Sequence, residues 1–75
     1  MSKYDTEVLD FMYTTFYNCQ CAWEMTPSKC VDVFNKYNVW KYIKELYELI
    51  HLQSDNRNIK EIEEYIDAQK KHKSK

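Results

Sequence analysis

The chain has 75 residues, of which 44% are hydrophobic and 16% aromatic, and its 11 Lys/Arg and 12 Asp/Glu leave a formal net charge of -1. That size excludes a two-domain enzyme and leaves one modest core with little depth for a water-excluding active site. The apolar content with near-zero net charge points to a compact rather than a disordered chain. With no Gly and one Pro, the sequence also lacks the turn residues that tight β-hairpins require, so a helical bundle is expected.

The first apolar period runs through Val8, Phe11/Met12, Phe16, Cys19 and Ala22/Trp23. Steps of three and four predict an amphipathic helix over roughly residues 3–23, with Ser2-Lys3-Tyr4-Asp5 as its capping box. Thr26-Pro27 is the strongest boundary in the chain. A threonine hydroxyl caps the next helix and the proline loses nothing at the first helical position, where its missing N–H has no partner in any case. That second helix carries Cys30, Val31, Phe34 and Tyr37 on one face and stops near Asn38, since asparagine tolerates a left-handed turn better than any residue but glycine.

Val39, Tyr42/Ile43, Leu46/Tyr47 and Ile50 predict a third helix that ends near Leu52 and forms a tight corner with the second. Residues 54–58 read as a polar loop, with Asn58 capping a fourth helix and Glu61 at its third position. Ile59, Ile62 and Ile66 give that helix a narrow apolar edge, and its other faces are charged. The expectation is an all-α, four-helix domain over residues 1–69, followed by a basic tail over 70–75 that frays. There is no internal repeat, no low-complexity linker and no apolar run approaching a membrane span, so a cytoplasmic protein without a membrane partner is expected.

Three places in the sequence carry candidate chemistry. Cys19, Cys21 and Cys30 are an odd set without a C-x-x-C pair, which predicts reduced thiols rather than a disulfide framework or a zinc site completed by His51 or His72. Cys19 and Cys21 point about 200° apart on a helix and cannot bridge to each other. Glu48 and His51 have the E-x-x-H spacing of di-iron bundles, but one copy is insufficient and Glu61, Glu63 and Glu64 lie off the apolar edge of their helix. A nucleophilic cysteine would need a base, a third group and oxyanion donors that the sequence does not supply. Residues 26–52 resemble a helix-turn-helix in outline, yet Lys41 and Lys44 are offset by Glu45 and Glu48, which weakens the positive field that phosphate contacts need. The expectation is therefore no enzyme, no cofactor, no metal and no specific nucleic acid.

The apolar arc is wider than one core needs. Tyr13, Tyr17 and Cys21 follow at i, i+4 and i+8 along the flank of the first helix, and Trp40, Lys44, Tyr47 and His51 make a second ridge on the third. Aromatic rings rimmed by polar groups anchor protein interfaces, so Tyr13, Tyr17, Trp40, Tyr47 and His51 are the candidate partner-binding residues. Tyrosines at a core boundary with their hydroxyls in water would produce the same pattern.

Three stretches, EVLDFMYTTFYN, CVDVFNKYNVWKYIKELYELIH and IKEIEEYI, resemble the small bacterial domain-of-unknown-function family 3791 over residues 7–67. The central stretch is the most specific, with Val31, Phe34, Tyr47, His51 and Gln53 echoing the family pattern. Leu52 and Ser54 stand where the family usually has Thr and Gly, so any role resting on those two does not carry over. The resemblance implies a non-catalytic, antitoxin-like partner of an ADP-ribosyltransferase-like protein, because members are often encoded beside or fused with such proteins. A DNA-binding regulator, a self-associating module forming a homodimer and a phage-borne inhibitor of a host enzyme are the alternatives.

Overall fold

The computed structural model describes residues 2–73 and contains α1 (Lys3–Ala22), α2 (Pro27–Lys36), α3 (Val39–Glu45), α4 (Tyr47–Ile50) and α5 (Asp55–Lys73). No strand occurs among the described residues, and the fold is all-α. The first two helix starts follow local chemistry. Ser2 Oγ accepts the Asp5 N–H at 3.2 Å, and Thr26 Oγ1 accepts the Lys29 N–H at 3.2 Å, each satisfying an amide that the first helical turn cannot.

Without glycine, two other residues take the left-handed positions that end α1 and α2. Asn38 does so at φ 55° and creates the expected corner between α2 and α3. Glu24 does so at φ 53°. There the Met25 N–H returns to the Gln20 carbonyl at 3.1 Å and the Glu24 N–H to Cys21 at 3.2 Å, a Schellman closure. A Cβ in this region costs on the order of 1 kcal/mol, so Glu24→Gly should raise stability by roughly 0.5–1 kcal/mol and the melting temperature by several degrees. Thermal denaturation checks this, and a lowered midpoint would mean that the glutamate side chain contributes more than its backbone costs.

Three boundaries differ from the sequence expectation. The third helix is divided: Leu46 leaves helical geometry at φ -100°, ψ 9°, its N–H still reaches the Tyr42 carbonyl, and the Leu49 and Ile50 amides turn back to the Leu46 carbonyl. No proline or glycine marks the break. The last helix starts at Asp55 rather than at Asn58, so most of the expected loop is helical. Ser54 is the cap, its Oγ accepting the Arg57 N–H at 3.2 Å, and Arg57 pairs with Glu61 one turn on at 3.2 Å. Asn58 is buried inside the first turns and donates from Nδ2 to the Ile50 carbonyl at 3.0 Å, tying α5 to the end of α4. The helix continues through Lys70 to Lys73, which replaces most of the expected frayed tail; Ser74 and Lys75 lie outside the described residues.

Cys19, Cys30, Phe34, Val39, Ile43, Ile50, Ile62 and Ile66 form the core, contributed by every helix. α1 packs on α5, α2 and α3, and α2 on α3. Phe34 sits at the aromatic centre, with ring centroids of Trp40, Phe16 and Trp23 at 4.9, 5.1 and 6.3 Å. Trp23 Nε1 donates to Glu63 Oε2 at 2.7 Å, clasping the end of α1 to α5. On the other side, Tyr42 stacks on Tyr65 at 4.1 Å. These pairs consume much of the aromatic surplus, so the rings that remain outside are few and can be placed individually.

Candidate protein-docking face

α1 buries Val8, Thr15 and Cys19 and turns Leu9, Tyr13, Tyr17 and Cys21 outward, one turn apart. Leu9 is 37% exposed, Tyr13 64% and Tyr17 62%. The corner at Asn38 sets Trp40 beside this row. Its ring stacks on Phe16 at 5.3 Å and 17°, meets Tyr13 edge-on at 6.2 Å, and donates from Nε1 to Asn35 Oδ1 at 3.1 Å. Trp40 is therefore a half-buried bridge between core and surface. Leu9, Met12, Tyr13 and Trp40 line a shallow depression of about 180 Å³. Leu9 and Met12 also border a neighbouring one of about 460 Å³ that extends to Tyr4, Asp5 and Lys44.

Tyr47 and His51 do not join this face. Tyr47 is 8% exposed and belongs to the buried interior, which corrects its expected role as an exposed contact. Tyr4 and Phe11 cover it edge-on at 5.7 and 5.4 Å. Phe11 and Tyr13 are about 200° apart around α1, so the ring that meets Phe11 and the ring that meets Tyr13 lie on different sides of that helix. The expected ridge from Trp40 to His51 is thereby split, and α3 itself ends before reaching Tyr47. His51 is exposed but engaged: it stacks on Tyr47 at 4.5 Å and its Nδ1 lies 2.7 Å from the Tyr47 carbonyl, which can only accept, so Nδ1 carries the proton. Leu9, absent from the expected set, was reachable by extending the Tyr17–Tyr13 step back four residues.

The thiols divide in the same way. Cys19 and Cys30 are fully buried and Cys21 is exposed. Burial, then the neighbouring Cys30 and Glu63, push the Cys19 thiol up to about 12, and burial also raises Cys30. At both positions burial disfavours the thiolate, the form of cysteine that acts as a nucleophile. The Tyr17 hydroxyl is raised first by its hydrogen bond with Cys21, then by that thiol's charge and by partial desolvation. Among the described residues no three of His, Cys, Asp and Glu gather as a metal site would need. A third depression, of about 330 Å³, is walled by Trp23, Met25, Val33, Tyr37 and Ile66 together with the charged Lys36, Glu63, Asp67 and Lys70.

These features define a small all-helical domain that carries a row of exposed aromatic and aliphatic side chains along α1. The family model described as protein of unknown function, DUF3791, matches residues 10–69, and the chain belongs to that family. No curated protein and no solved structure matches it. No helix of the described residues is long and apolar enough to cross a membrane.

Proposed function

We propose that this chain is a non-catalytic protein-binding module that docks through Leu9, Tyr13, Tyr17 and the outer edge of Trp40. The observation that carries this reading is the pair of tyrosine rings, 64% and 62% exposed, one turn apart on a 20-residue helix. Such rings bury large area on binding and have few rotors to freeze. Their scaffold is already ordered, so little entropy is lost on docking. The burial of Cys19 and Cys30 and the engagement of His51 by Tyr47 support a role without catalysis. The family resemblance suggests an ADP-ribosyltransferase-like protein as the partner to be neutralised or assisted.

The experiment is a titration against such a protein encoded beside the gene. Tyr17→Ala should weaken binding about 30-fold, the equivalent of roughly 2 kcal/mol, with a melting temperature close to that of the parent. Trp40→Ala is a poor substitute, because its contacts with Phe16 and Phe34 make it report on folding. Equal affinity of the parent and Tyr17→Ala would overturn the assignment of this face.

A further inference from the structure

The docking face has an uneven distribution of charge. From Phe11 through Trp23 the chain has no charged residue, although 31% of the whole is charged. Five residues of that stretch, Tyr13, Thr14, Tyr17, Cys21 and Ala22, are nevertheless exposed. Surfaces open to water in a protein this charged normally carry Lys, Glu or Asp, and it is the centre of an interface that is depleted of them. The acidic groups of α1, Asp5, Glu7 and Asp10, are confined to its first half.

We infer that the occupant of this face is a second copy of the same chain, bound across a two-fold axis with the two α1 helices antiparallel. The inference rests on the docking face proposed above: in the free chain the second copy covers the rings that the heterologous partner would take in its place. A neutral strip can meet itself without burying like charges, which is the first requirement of an isologous contact. With the axis between Tyr13 and Tyr17, each Tyr13 faces Tyr17 of the second copy, and Asp10 comes beside Gln20, whose amide can donate to it. The two acidic halves then lie at opposite ends of the contact. A parallel pairing would instead set Asp5, Glu7 and Asp10 of the two copies side by side and is repelled.

Sedimentation equilibrium on the full chain, under reducing conditions and over about 10 µM to 1 mM, the range in which a small interface associates, tests this. The mass should rise from 9.2 kDa toward twice that value. It should do so equally in high salt, because the contact carries no net ion pairing. Tyr17→Lys and Tyr13→Lys, both at exposed positions, should remain monomeric with unchanged helical circular dichroism, whereas Lys60→Glu on α5 should associate like the parent. A parent monomeric throughout, association abolished by salt, or dimeric Lys variants would each overturn the two-fold. A monomeric parent whose Tyr17→Ala variant still loses affinity for the ADP-ribosyltransferase-like protein overturns the self-pairing alone. Failure of both measurements overturns the docking face as well.

Discussion

Phe34→Ala is expected to bring the chain to the edge of unfolding at room temperature. Phe34 is fully buried, and Phe16 and Trp23 from α1 and its C-terminal cap and Trp40 from α3 converge on its ring. Truncating such a residue removes its transfer free energy and leaves a cavity that three large, rotamer-restricted aromatics cannot collapse into, at a cost of about 3–5 kcal/mol. A domain of this size has a total stability of roughly 4–11 kcal/mol, so one substitution removes a large fraction of it. Urea titration followed by circular dichroism should show a strongly lowered midpoint or a chain already unfolded in buffer. Phe34→Leu, which keeps most of the volume, should lose much less. A cost below about 1 kcal/mol for the alanine variant would contradict the placement of Phe34 at the convergence of the helices.

The position of that ring also explains which parts of the molecule were readable in the sequence. Ser2, Thr26-Pro27 and Asn38 act through partners within five residues of themselves, so their roles as caps and corner follow from local chemistry. Asn58 was misplaced as a cap because its amide is taken by the Ile50 carbonyl eight residues back, a partner that exists only once α4 has folded against α5. Ser54 had the same cap chemistry four residues earlier, and its hydroxyl accepts the N–H of Arg57.

Tyr47 shows the same limit at the surface. Its spacing after Trp40 suggested one exposed ridge, but burial was decided by Tyr4 and Phe11, more than thirty residues away, and by the interruption at Leu46, which no residue type announces. Tyr13 and Tyr17 stand where their spacing put them, outside the core stripe of a helix whose phase was fixed by Val8 and Cys19. What periodicity gives is the direction a side chain leaves its own helix. Whether another helix lies in that direction is a tertiary fact, and Glu63, forty residues from the Trp23 indole it accepts, was legible only in the folded chain.

The second large effect is a loss of stability in alkali, carried by a side chain with no role on the docking face. The Cys19 thiol is pushed up to about 12 in the native state, with burial as the largest cause, while in the unfolded chain it should titrate near the ordinary thiol value of about 8.5. Between these values the unfolded chain has released the proton and the native chain still holds it. Raising the pH through this window therefore favours unfolding, at about 1.4 kcal/mol per pH unit for one such group. Below about pH 8 both states keep the proton and the group contributes no pH dependence. Cys30, raised by burial, and Tyr42, raised by burial and then by Glu61 and Glu64, act with the same sign. Under reducing conditions, the urea midpoint should be flat from pH 7 to 8 and fall steeply from pH 9 to 11. Cys19→Ala should begin from a lower midpoint, because a filled core site is emptied, yet fall with a shallower slope, because one of the titrating groups is gone. Parallel slopes for the two proteins would show that the Cys19 proton is not what ties the core to pH, and the alkaline transition would then have to be traced to Cys30 and Tyr42.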